Sequence, residues 1–318
     1  MRNIQRLTQP GKALVLLGLV ALVPAHASLI INPTFDSSIT SDPNAAAVIS
    51  TIDQAINMFE SQITTGITVN ITFQEMGSGL GSSSTFFGTI TYSQYLAALQ
   101  SHSSGDAVDT SALATLPAGP NNPVNNGTTV DVTTANLRAL GFNASVPTDS
   151  SIGLNTSITN FSGKPYNSSF YDLASVIEHE IDEALGLGSN LDTGSATGAI
   201  RPEDLFRYSA PGTRSYTISS SATSYLSIDG GVTNLIGFNQ VGPPGSSDYG
   251  DWAGSATPHV QDAFGTPGAT PVYGVERTAL DAIGYNFVQT SVPEPSTFCL
   301  MTLAAIGLIA GRQKLQGR

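Results

Sequence analysis

Three observations predict a fold of mixed helices and strands. Apolar residues recur at helical spacing through Val48, Ile49, Ile52, Ile56, Phe59 and Ile63, and a period-2 alternation follows at once through Ile67, Val69, Ile71 and Phe73. A second amphipathic helix is written over 170–185. From about Arg201 onward the chain turns rich in Gly, Pro and Ser, and only short β-like pieces interrupt it.

Taken in order, Ser41-Asp42-Pro43 is expected to open the first helix, because Ser or Asp caps well and Pro suits the first turn. The strand over 67–73 comes next, then "GSGLGSSSTFFGTITY", read as a Gly/Ser loop leading into a short strand. "YSQYLAALQSH" is a second helix, and "TTVDVTTANLRALG" contains a third, short one capped by Thr133 or Thr134. The Asn-, Ser- and Thr-rich segment that follows offers one strand near 151–158. Ser169 and Asp172 are placed to cap the helix of 170–185, and Gly186 is placed to end it. "RSYTIS" and "SYLSIDGG" are short β pieces, and "VERTALDAIGY" is the last helix.

Both ends read as addresses. A basic start from Arg2 to Lys12, the apolar run "ALVLLGLVALV" and Ala25-His26-Ala27 form a secretory signal peptide over 1–27. At the other end "VPEPST" precedes the apolar run "FCLMTLAAIGLIAG" and then Arg312, Lys314 and Arg318. The run is shorter than the ~17–25 residues of an ordinary span. With Pro-Glu-Pro before it and cations after it, residues 292–318 resemble a PEP-CTERM sorting tail: motif, membrane helix and basic end. This implies export to the outer surface or extracellular matrix of a Gram-negative-type bacterium, with transient anchoring in the membrane. Sorting machinery and exopolysaccharide are the implied partners.

Residues 28–291 then form the working domain. Six of the 12 cations and one of the 24 acids lie in the two ends, so this domain carries 6 cations against 23 acids, a net −17. Such a charge excludes nucleic acid as a partner and suits a protein that collects divalent cations. The single cysteine, Cys299, lies in the terminal apolar run, so the domain has no disulfide and rests on packing, with a bound metal as a possible addition.

The chemistry is concentrated in "SVIEHEIDEALGLGS" (175–189). Leu173, Val176, Ile177, Ile181, Ala184 and Leu185 make an apolar stripe. At about 100° per residue His179 and Glu183 fall on one line away from its centre, with Glu180 between them. Two ligand-type side chains one turn apart beside a carboxylate make a helical metal site. Zinc takes His nitrogen or carboxylate oxygen, and Glu180 is placed to act as general base toward a metal-activated water. The competing reading is an acidic, solvated helix face. Against it stand the like charges Glu178/Asp182 and Glu180/Glu183, and the acids in the last turn at the negative end of the helix dipole. Spacing leaves both readings open.

Resemblance adds to this. "TFDSSI", "HEIDEALG", "DLFRYSAPGTR", "SIDGGVTN", "GDWA" and "LDAIGY" occur in the order seen in a family of exported bacterial metalloproteases, often PEP-CTERM-tailed, in which HEIxExxG replaces HExxH. The resemblance runs from Thr34 to Tyr285. It implies an α+β, metzincin-like zinc-protease domain, with a small sheet over the active-site helix and an irregular Gly/Pro-rich C-terminal part. Against the metzincin pattern HExxHxxGxxH, Glu183 stands for the second His and Ser189 for the third. The third ligand must then come from elsewhere. Asp192, Asp204 and His259 are the candidates, and Asp204 is favoured because it lies in a segment that carries the resemblance.

Asp248 and Asp251, three apart in "SSDYGDWAG", suggest a calcium loop or an ordinary acidic turn. Trp252, Phe206 and Tyr208 suit a substrate cleft or core packing equally. His102 and His259 read as surface histidines. The expected activity is that of a zinc-dependent endopeptidase acting on protein or peptide, with His179, Glu183 and Asp204 as metal ligands and Glu180 as base. The alternative is a catalytically inactive metzincin-like domain that binds at the surface or to exopolysaccharide. A serine hydrolase ranks third, since no GxSxG occurs.

Overall fold

The structure is a computed structural model that describes residues 28–242 and 248–289. The expected signal peptide and sorting tail lie outside the described residues. The chain runs β1 (Ile30–Phe35), α1 (Ser37–Thr40), α2 (Ala45–Gln62), β2 (Thr68–Glu75), β3 (Gly81–Thr85), β4 (Phe87–Thr91), α3 (Tyr92–His102) and α4 (Ala107–Ala114). It continues through β5 (Thr129–Thr133), α5 (Thr134–Ala139), β6 (Ser150–Leu154), β7 (Thr159–Asn160), β8 (Tyr171–Asp172) and α6 (Leu173–Leu185). The last part holds β9 (Arg207–Ala210), β10 (Thr213–Arg214), β11 (Tyr225–Leu226), β12 (Ile236–Gly237) and α7 (Val275–Ala282).

Helices and small sheets mix along the chain, a composition compatible with the α+β class. The main sheet has the order β1-β2-β6-β3, with β1, β2 and β6 parallel and β3 antiparallel at the edge. Val69, Ile71 and Phe73 of β2 and Ile152 and Leu154 of β6 turn inward and are buried. α2 and α6 pack against each other, α6 lies against β3 and β6, and Val48, Ile52, Ile56 and Phe59 of α2 join Val176, Ile177 and Ile181 of α6 in the core. A second sheet, β10-β9-β11-β12, forms from the irregular part.

The expected helices at 92–102, 134–139, 173–185 and 275–282 are present, and Thr133 caps α5 by accepting from Asn136 N. The first helix starts later than expected. Ser41-Asp42-Pro43 forms a turn in which the Asp42 carboxylate accepts from Asn44 N at 2.6 Å, and α2 begins at Ala45. β1, α1 and α4 went unpredicted. The Gly/Ser run 81–85 is strand β3, not a loop, because pairing with β6 supplies the backbone partners that its serine side chains do not advertise.

Candidate metal centre

Asp172 caps α6 by accepting from Ser175 N at 3.0 Å, and Gly186 ends the helix at φ +138°. This fixes one face of the helix beneath β3. The approach is close: a Cβ on Gly81 would run into Glu180 Oε1 and come within 2.8 Å of Val176 Cγ1. The face is only partly open to solvent, with Glu178, His179 and Glu183 half-buried. Glu180 is 5 % and Asp182 0 % exposed, and Asp182 accepts from the Tyr273 hydroxyl at 3.1 Å.

His179 and Glu183 are brought together as their spacing suggests, with His179 Nε2 3.8 Å from Glu183 Oε1. The third member is Asp251, whose Oδ2 stands 3.5 Å from His179 Nε2. One donor atom from each of the three lies within 4.8 Å of the others. His179 Nδ1 faces the Val260 carbonyl at 3.0 Å, so that in the neutral ring the proton sits there and the Nε2 lone pair is available to a cation between the two carboxylates. Ser83 Oγ of β3 donates to Glu183 Oε2 at 2.6 Å, and Gln261 Nε2 donates to Asp251 Oδ1 at 2.9 Å. Each ligand-type side chain therefore has a second group that orients it.

Asp251 is delivered by a loop with no long element of its own. Asn239 N donates to Asp251 O, and Trp252 N to Gln261 O, both at 2.8 Å. Glu276 of α7 accepts from Trp252 Nε1, Gln261 N and Gly274 N at 2.8–3.1 Å, clamping the strand-like pieces on either side. Gly250 lies so close to Gly188 Cα and Ser189 N that any Cβ would overlap them. The loop is thus seated directly against the turn that follows α6.

Asp204, the expected third ligand, is not in this group. Its carboxylate accepts from the Ser189 hydroxyl and, at 2.8 Å, from Arg201 N, so it braces the 3₁₀ turns Asn190–Thr193 and Pro202–Phe206. Ser189, at the position of the metzincin third His, is a turn cap. Asp192 accepts from Tyr249 N at 2.6 Å and lines the cleft, as does His259, without joining the three donors. Asp248 also lines the cleft, while its partner in the suggested calcium loop, Asp251, belongs to the His179 group. Trp252, Phe206 and Tyr208 are buried core residues and do not line the cleft. His102 ends α3.

The electrostatics follow from burial. Desolvation disfavours the His179 imidazolium, yet Asp251, Glu183 and Glu180 outweigh it and hold the pKa well above the ordinary value. Burial pushes the Glu180 carboxyl well up, Glu183 adds to this, and His179 opposes it. Asp251 is raised in the same way by burial. Desolvation pushes the half-buried Glu183 up, but His179, Ser83 and Arg201 outweigh it and bring it below the usual range. Glu180 Oε2 is buried and has no hydrogen-bond partner among the described residues.

A nitrogen and two carboxylate oxygens are a donor set that zinc accepts. Ligands about 2.0–2.1 Å from a tetrahedral zinc stand roughly 3.3 Å apart, close to the 3.5 and 3.8 Å found here. The group sits in a cleft of ≈ 820 Å³ walled by the outer edge of β3, α6 and the 258–266 segment, with Phe87 and Phe264 exposed along it.

No curated protein and no solved structure matches the chain. Among the described residues no helix is long and apolar enough to cross a membrane. Residues 291–314 match the PEP-CTERM protein-sorting motif, so the chain carries the surface-directed sorting signal of an exported bacterial protein and the tail by which sorting machinery takes it up.

Proposed function

We propose that this exported protein is a zinc-dependent endopeptidase of metzincin-like type, with His179, Glu183 and Asp251 as its metal ligands and Glu180 as its general base. The observation that carries the reading is the convergence of three oriented donor atoms within 4.8 Å beside a buried carboxylate that has a free oxygen. When bound, zinc supplies Lewis acidity, polarising a carbonyl and lowering the pKa of water. Glu180 Oε2 takes the proton of the attacking water and later passes it to the leaving amine nitrogen. Burial and the neighbouring Glu183 favour its proton-holding form, and a positioned acid–base catalyst contributes about 10²–10⁴-fold. β3 ends its sheet, so its outer backbone edge is available to an extended peptide, and Phe87 and Phe264 flank the path for apolar side chains.

A second reading, a catalytically inactive surface or exopolysaccharide-binding protein, is favoured by one observation. A protonated His179 between Asp251 and Glu183 would neutralise one of the two carboxylates without any metal. Peptidase assays on an unstructured protein substrate separate the two. Glu180→Ala is expected to lose at least about 100-fold in activity at unchanged metal content. Equal inertness of the folded wild type and of Glu180→Ala would favour the second reading.

A further inference from the structure

A second acidic constellation lies outside the cleft. One carboxylate oxygen each from Asp106, the N-cap of α4, Asp109 in its first turn and Asp281 in the last turn of α7 lie within 4.8 Å of one another. Asp109 is 2 % and Asp281 4 % exposed. Asp106 already accepts from Val108 N, Asp109 N and Gln289 Nε2 at 2.8–3.0 Å, and Asp109 from the Ser104 hydroxyl and Gly105 N at 2.8 and 3.0 Å.

Asp281 differs. Among the described residues neither of its carboxylate oxygens, one of which belongs to this trio, has a donor; its Oδ1 is fully buried, and no basic side chain forms an ion pair with any of the three. Arg277, one turn earlier on α7, instead donates to Val288 O at 2.9 Å and lies over the Phe287 ring. An acid in the last helical turn also faces the negative end of the helix dipole. Burial and the neighbouring Asp106 and Asp109 push Asp281 up to about 8. A buried carboxylate with two others beside it needs either a proton or a cation. The donors are all oxygen, which suits a hard divalent ion of the calcium class, with water completing its shell.

We propose that Asp106, Asp109 and Asp281 form a calcium-type cation site that clamps α7 to the start of α4. The site is independent of the metal centre in the cleft. It fastens the last helix before the sorting tail to the body of the protein. Calcium sites of extracellular modules work at about 10⁻⁴–10⁻³ M, the range expected for three carboxylates completed by water.

The test uses the full chain, with thermal unfolding and isothermal titration calorimetry against calcium chloride at pH 7. About 5 mM calcium is expected to raise the Tm by about 3–8 °C. The shift and the calorimetric binding are expected to vanish in Asp281→Asn and to persist in Asp251→Ala. Asp281→Asn keeps the side-chain shape and removes the charge conflict, so without calcium its Tm is expected to equal or exceed that of the wild type. Asp106→Asn, which still caps α4, is the second variant and is expected to lose the calcium shift as well. A wild-type Tm indifferent to calcium, or a calcium response that survives in Asp281→Asn, overturns the proposal. So does the signature of a shared proton: no calcium response at any pH, with a Tm that falls from pH 6 to 9 more steeply in the wild type than in Asp281→Asn.

Discussion

Gln261 shows how the centre depends on residues that do not themselves belong to the donor set. Its amide nitrogen donates to Asp251 and stands 3.4 Å from His179 Nε2, while its backbone is held by Glu276. Partners of this kind typically contribute 10–100-fold to metal affinity. Gln261→Ala is therefore expected to weaken zinc binding by about that factor with little change in fold, as a competition titration against a chelator would show. Asp204→Ala should do the reverse. It leaves the donor set intact and removes the acceptor of Ser189 and Arg201 N, so a stability loss of about 1–3 kcal/mol at full zinc occupancy is expected in urea unfolding.

At the scale of elements, the centre exists because three backbones meet: α6, the edge strand β3 and the loop carrying Asp251. Gly250 is the least forgiving point, where only backbone stands in the way of a Cβ and no side chain can yield. Gly254, a few residues on in the same loop, has open space. Gly250→Ala is expected to lower both zinc content and Tm, and Gly254→Ala to leave both near wild type; elemental analysis and calorimetry on the pair check this. The helices were legible because their apolar spacing and caps are local signals, as at Asp172, Thr133 and Gly186. β3 was not, since a run of serines becomes a strand only through its partner β6. The same distinction divides the site. His179, Glu180 and Glu183 share one helix and could be read together, whereas Asp251 reaches them through long-range packing. Its segment "GDWA" carried the family resemblance as fully as that of Asp204, so nothing local distinguished Asp251 as the residue that the fold brings beside His179 and Glu183.

Across the whole molecule, the excess of acid over base is partly buried, and this sets the pH dependence of stability. Glu178 is pushed up to about 7 by burial, Asp172 and Glu276; Asp192 reaches about 7 and Asp281 about 8, again with burial as the leading cause. Each folded pKa exceeds the unfolded value of about 4, so the folded state holds more protons across that window and stability must fall as pH rises from 5 to 8. Metal-free protein is expected to lose about 1 kcal/mol or more per pH unit there, measured as the urea midpoint, and Glu178→Gln to flatten the decline. A cation in the cleft should offset part of the loss, which leaves the identity of its ligands as the central claim. Elemental analysis of the full chain, purified without chelator beside Asp251→Ala and Asp204→Ala, tests it most directly. The account predicts about one zinc per chain in the wild type and in Asp204→Ala, and almost none in Asp251→Ala. A folded wild type without metal, or zinc retained in Asp251→Ala, would contradict it.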